Sequence, residues 1–259
     1  MNTLAYTLPS GPLSRPPAGV AVRIEADAAQ LALHLAARVA EALQDAIAHR
    51  GRATLWVSGG STPVPFFQAL SAQAVDWALV QIALVDDRWC EPTNPDSNEG
   101  LVRRLLWVGP VAQAGFQGWF RPGVDDPVAA QHVQPELAAW VDAMPWPADV
   151  VVLGMGGDGH TASWFPQTPQ YAQATQPGLA PRWLCTDAPS LPNVPRPRAT
   201  LTLGAVRDCH LLCVHTTGVA RAELLARVWQ GEAAPIGALW QQPLPPGQAM
   251  PPVEVYWAP

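Results

Sequence analysis

The stretch Val150 to Pro166, VVVLGMGGDGHTASWFP, constrains this chain more than any other. Val150 to Leu153 are four apolar residues in a row, the signature of a strand buried on both faces of a parallel sheet. Gly154, Gly156, Gly157 and Gly159 then crowd into six positions. Without Cβ atoms, such a turn can aim backbone N–H groups at a ligand. His160 follows the last glycine, at the carboxyl end of the strand, where open α/β sheets bind ligands. An imidazole held there is a candidate acid–base group, and an ordinary βα turn is the alternative. The spacing Gly154-x-Gly156-x-x-Gly159 also satisfies a dinucleotide fingerprint. That motif needs a long helix next and an acid about 20 residues on. Here Pro166 and Pro169 stop a helix early, and no acid appears before Asp187. The context argues against a nicotinamide or flavin site.

Elsewhere the chain alternates strand and helix patterns. Residues 1 to about 20 read as a loose Pro- and Gly-rich arm. Asp27 caps a helix whose apolar positions are Leu31, Leu35, Val39, Leu43 and Ile47, ended by Gly51. Thr54 to Val57 is a strand, followed by Ser58-Gly59-Gly60-Ser61-Thr62-Pro63 and a helical run. Thr62 as cap and Pro63 as first residue would make this an anion cradle, with hydroxyls and free N–H groups at a helix start. Val80 to Val85 is a strand that runs into Asp86-Asp87-Arg88, and Asp96-Ser97-Asn98 caps a helix to about Trp107. Gly115 to Phe120 is a further strand and Pro127 to Ala143 a helix that includes His132. A proline-dense connection, Pro177 to Pro197, surrounds a short strand, Trp183 to Thr186. Arg198 to Leu203 alternates as a strand, Leu211 to His215 is another, and Thr216-Thr217-Gly218 opens a helix from Val219 to Trp229. Val253 to Trp257 is the last strand. Arg221 in a first helical turn opposes the helix dipole, a misfit that a bound anion would relieve. Alternation of this kind predicts a parallel-rich sheet with helices on both faces, and Ser61, Arg88 and His160 at one edge. No repeat or domain break interrupts it, so residues 1–259 read as one domain.

Composition narrows the function classes. The formal charge of −6 argues against nucleic acid. All 15 basic residues are Arg. The absence of Lys removes a Walker-type P-loop and Schiff-base chemistry. The four cysteines form no C-x-x-C pair, and neither a zinc site nor a disulfide framework is expected. No apolar run reaches 18 residues and the start lacks a signal-peptide pattern, so a cytoplasmic protein without membrane association is expected.

Three stretches together, SGGSTP, DDRW followed by DSN, and LGMGGDGHTASWFP, resemble the 6-phosphogluconolactonases of the pentose phosphate pathway. RATLTL and the TTG-helix extend the resemblance from about Thr54 to Trp229. It implies a three-layer α/β/α fold with a mostly parallel, Rossmann-like sheet, shared with glucosamine-6-phosphate deaminases. It also implies hydrolysis of 6-phospho-D-glucono-1,5-lactone to 6-phosphogluconate with no metal and no cofactor, by a monomer or weak homodimer. His160 is then the general base, with Arg88 stabilising the oxyanion and Asp86 orienting His160 or Arg88. Gly59, Gly60, Ser61, Thr62, Asp87, Gly157, Asp158, Arg198 and Arg221 become substrate contacts, with Ser61, Thr62, Arg221 and Arg198 at the phosphate. Two departures stand out. The family usually has Glu at Asp87 and Lys at Arg221. The rivals are an amino-sugar phosphate deaminase or isomerase, which typically carries GHIAFNEP-like sequence where this chain has GHTASWFP, and a non-catalytic sugar-phosphate-binding protein.

Overall fold

The computed structural model describes residues 12–129, 133–190 and 192–259. Strand β1 (Val20–Ile24) leads into α1 (Ala28–Arg50), and β2 (Ala53–Val57) into α2 (Val64–Ser71). Next come β3 (Val80–Leu84), the three-residue β4 (Asp86–Arg88) and α3 (Asn98–Leu105). The middle of the chain holds β5 (Gly115–Gln117), α4 (Val133–Ala143), β6 (Ala148–Gly154), α5 (Tyr171–Ala174), β7 (Trp183–Thr186) and β8 (Arg198–Leu201). The last part holds α6 (Leu203–Arg207), β9 (Cys209–Thr217), α7 (Val219–Trp229), α8 (Ala238–Gln241) and β10 (Val253–Ala258). Helix α1 has the ends its sequence predicts. Asp27 Oδ1 accepts the N–H groups of Ala29 and Gln30 at 2.9 and 2.8 Å. Gly51 closes the helix at φ 72°, in the left-handed region that a Cβ disfavours.

Seven strands form the main sheet in the order β1-β10-β9-β6-β2-β3-β5, and every neighbouring pair is parallel. All five residues of β2 are buried, as are Ala148 to Leu153 of β6. Successive strand side chains point to opposite faces, so continuous burial means that both faces are covered. Helix α1 packs on β2, β6 and β10. On α4, Trp140 meets Trp56 of β2 at 6.1 Å between ring centroids. The result is a three-layer α/β/α arrangement, and the four apolar strands singled out in the sequence are interior. Among the described residues no helix is long and apolar enough to cross a membrane.

The winding of the chain positions the site. From β2 it moves outward through β3 to β5; from β6 it moves outward the other way through β9 to β10. The order reverses between β2 and β6, so the loops after these two strands part and leave a crevice at their carboxyl ends. Those loops are SGGSTP and GMGGDGH.

The small sheet departs from expectation. β4, β8 and β7 form an antiparallel unit, with Asp86 opposite Thr200 and Arg88 opposite Arg198. Val85 is the crossing point. Its N–H donates to Val57 O in the main sheet at 2.9 Å, and its carbonyl accepts from Leu201 N at 2.8 Å in the small one. Asp86-Asp87-Arg88 is therefore a paired strand, not a loop at a strand end. Other boundaries shift as well. Helix α2 begins at Val64 with Pro63 before it and no side-chain cap, so Thr62 does not cap it. β5 stops at Gln117; residues 127–129 form turns, and α4 is described from Val133. β8 stops at Leu201 because the Thr202 hydroxyl caps α6. β1 lies at the sheet edge and starts at Val20, where the N-terminal arm ends; the sequence leaves room for one short strand in that arm but does not fix its bounds. His132 and residues 1–11 of the arm lie outside the described residues.

Candidate active site

The crevice is lined by both loops and by side chains from β4, β8, α3 and α7. The β2 loop depends on Gly59. A Cβ there would sit 2.1 Å from Asn98 Oδ1, so the loop can pass the start of α3 only without a side chain. Asn98 fills that space and donates from Nδ2 to Asp86 O at 2.9 Å, joining the β2 loop to the small sheet. Gly60 takes φ 98°, the second position where glycine is required.

The β6 loop folds back on itself. Gly156 N–H donates to His160 O at 2.8 Å, and Thr161 Oγ1 donates to Gly154 O at 2.7 Å. His160 Nδ1 lies 2.5 Å from Asp158 Oδ1, which also accepts the His160 N–H at 3.1 Å. That hydrogen bond to His160 is the main cause that holds the Asp158 carboxyl well below the usual carboxylate range. An ionised carboxylate only accepts, so a neutral His160 carries its proton on Nδ1 and leaves Nε2 as a free base. The ring packs on Phe165, 4.7 Å between centroids, and the Arg198 guanidinium lies 5.2 Å from the centre of the same Phe165 ring. Ala162, which also lines the crevice, has φ 48°. A non-glycine residue in that region is strained and held by its surroundings.

Three cations and one acid face the crevice: Arg88, Arg198, Arg221 and Asp86. Arg88, Arg198 and Arg221 each give one guanidinium nitrogen to a backbone carbonyl, of Asp96, Val194 and Thr217 respectively. The Nε atom of each is buried without a partner, and so is Ser58 Oγ in the same crevice. Burial lowers the Arg198 pKa to about 10, with Asp86 opposing and Arg88 adding to the shift, and the group remains cationic at neutral pH. Three guanidinium groups, one carboxylate and an imidazole thus share one crevice. Among the described residues no group of three His, Cys, Asp or Glu is placed to hold a metal ion.

A profile of the glucosamine-6-phosphate isomerases/6-phosphogluconolactonase family matches residues 26–246 of the chain. The chain belongs to this family. A 6-phosphogluconolactonase of Pseudomonas aeruginosa is 43% identical over 193 residues, which cover 74% of this chain and 79% of that protein. One from Mesorhizobium japonicum is 40% identical over 236 residues, 90% of this chain and 93% of that protein. The crystal structure of a 6-phosphogluconolactonase from Shewanella baltica superposes with a TM-score of 0.81 at 32% identity, covering 95% of this chain and all of that one.

Of the residues the family resemblance singled out, Gly59, Gly60, Ser61, Thr62, Asp86, Arg88, His160, Arg198 and Arg221 line the crevice together. Asp87 does not. It is 1% exposed and turns to the start of α3, where it accepts the N–H groups of Arg88, Asn98 and Glu99 at 2.7, 2.6 and 2.9 Å. Burial pushes its pKa up to about 7 against those donors. It builds the α3 terminus that carries Asn98. Gly157 and Asp158 also lie outside the lining. Asp86 does not orient His160: its Oδ2 accepts from Ser163 Oγ at 2.6 Å, and Asp158 holds the imidazole instead. Ser58, Asn98, Gly154, Met155, Gly156, Thr161 and Ala162 complete the lining. The sequence carries a signal for the first, a hydroxyl beside the glycine pair. Asn98 stood in the DSN stretch as part of a helix cap, but its place in the crevice depends on α3 reaching back to Gly59.

Proposed function

We propose that the protein hydrolyses 6-phospho-D-glucono-1,5-lactone to 6-phospho-D-gluconate. The carrying observation is the pairing of an Asp-held imidazole with three guanidinium side chains that line the same crevice. A phosphorylated δ-lactone presents a phosphate and a carbonyl that becomes an oxyanion, and both need such donors. In this reading Ser61, Thr62, the β2-loop N–H groups and Arg221 take the phosphate. Arg198 joins them at the phosphate, and Arg88 faces the carbonyl end. His160 Nε2 accepts a proton from water as the water oxygen bonds to the lactone carbon, and the charge moves onto the carbonyl oxygen. When that intermediate collapses, the bond from the carbon to the ring oxygen breaks and His160 returns the proton to that oxygen. A δ-lactone is already reactive, so a positioned water and one base suffice.

The expected chemistry needs neither metal nor cofactor. The reading places the enzyme in the cytoplasm. A single catalytic domain is supported by one buried core that runs from Leu13 to Ala258. A monomer or weak homodimer is part of this reading. The test is hydrolysis of freshly prepared lactone measured against its spontaneous rate, with glucosamine-6-phosphate as the rival substrate. Turnover of the amino sugar and none of the lactone would reverse the reading.

A further inference from the structure

The carboxylate that holds His160 is not sheltered. The Asp158 side chain is 48% accessible, and water competes freely for an exposed carboxylate. Yet both of its oxygens have protein partners. Oδ1 takes the ring Nδ1 and the N–H of His160, and Oδ2 takes the amide Nδ2 of Asn193 at 3.1 Å. An ionised carboxylate offers no donor, so the Asn193 amide must face it through its NH2 group.

Asn193 belongs to neither glycine loop. It sits in the proline-dense segment that leads into β8, between Pro192 and Pro195. That segment is fastened at several points. Trp89 N–H donates to Pro197 O at 2.7 Å, Arg196 Nε to Asp96 Oδ2 at 3.3 Å, and the Arg198 guanidinium to Val194 O at 3.0 Å. Three prolines fix their own φ angles along it. The amide is therefore presented from a held backbone, and an exposed carboxylate gains from it an anchor that solvent does not provide.

We propose that Asn193 is a positioning residue for His160: it pins the outer oxygen of Asp158, which keeps the inner oxygen on Nδ1 and Nε2 free toward the crevice. The kinetic consequence rests on His160 being the general base; the geometric one does not. The charged groups that share the crevice with the ring are Arg88 and Asp86 from β4, Arg198 from β8 and Arg221 from α7, and none of these bonds to His160 in place of Asp158.

The test separates the two consequences. In the unmodified protein, long-range 1H–15N NMR of the His160 ring should show the Nδ1–H tautomer alone. Asn193→Ala should show a mixture, and its kcat on the phosphorylated lactone should fall about 3- to 10-fold, the effect of one net hydrogen bond, with KM within about twofold. Asn193→Asp keeps the size but sets a like charge on Asp158, so its kcat should fall further. In an Asp158→Asn background, Asn193→Ala should have no additional effect on kcat. An unchanged tautomer in folded Asn193→Ala overturns the proposal, and so does an equal fall in kcat with and without Asp158. If His160→Asn kept full kcat, the general-base reading would fall alone, and the tautomer measurement would still decide the role of Asn193.

Discussion

Gly59→Ala tests how the crevice is built. The added Cβ would lie 2.1 Å from Asn98 Oδ1 and 2.8 Å from Asn98 Cβ, too close for either to stay. Asn98 must rotate away and lose its 2.9 Å hydrogen bond to Asp86 O. Leaving that buried acceptor unpaired costs about 1–3 kcal/mol, and the forced shift of backbone about 1–3 kcal/mol more. Urea unfolding should show a loss of about 2–6 kcal/mol on these grounds. Asn98→Gly alone should cost about 2–4 kcal/mol, from the lost bond and the helical glycine. The double variant removes the clash and counts the lost bond once, so it should be at least about 1 kcal/mol more stable than the two losses summed. Additivity within about 0.5 kcal/mol would refute the claim that Gly59 is required by Asn98.

Further outcomes follow from other parts of the structure. Arg221→Ala removes a charged donor with an unpartnered Nε. It should raise KM for the phosphorylated lactone about 10- to 100-fold, and much less for unphosphorylated gluconolactone; equal effects would count against a phosphate role. His215 is 3% exposed, and burial lowers its pKa to about 4. The unfolded chain takes up this proton near the ordinary pKa of about 6.5, so its contribution is complete above that pH and is lost as pH falls toward 4. Between pH 7 and 5 unfolding free energy should drop by about 2 kcal/mol through this group, and His215→Leu should flatten that part of the profile. Ala162 sits at φ 48°, so Ala162→Gly should leave the melting temperature nearly unchanged, whereas Ala162→Val should destabilise by about 2 kcal/mol.

The parts of the fold legible in the sequence were those set by local chemistry. The apolar runs of β2, β3, β6 and β9 could only be interior strands, and Asp27 and Gly51 marked both ends of α1 from adjacent residues. The small sheet was hidden because β4 has three residues and its partner lies more than a hundred positions away, so no periodicity betrays the pairing. The same cause misassigned Asp87. Beside Arg88 it reads as a substrate contact, but strand alternation turns its side chain to the N–H groups at the start of α3. For the site, His160 and the two glycine loops stood out through composition and spacing. What holds them did not: Asn98, Ser163 and Asn193 act across gaps set by tertiary packing, and each is an ordinary polar residue in its own stretch.

The central claim is that His160, fixed by Asp158 beside a cluster of guanidinium groups, is the base that activates water. The direct measurement is the kcat of His160→Asn on the phosphorylated lactone, corrected for spontaneous hydrolysis, in protein shown to be folded. A positioned acid–base group contributes about 100- to 10,000-fold. The account predicts a fall of at least about 100-fold with KM little changed, because the phosphate end still binds. A kcat near that of the unmodified protein would contradict it.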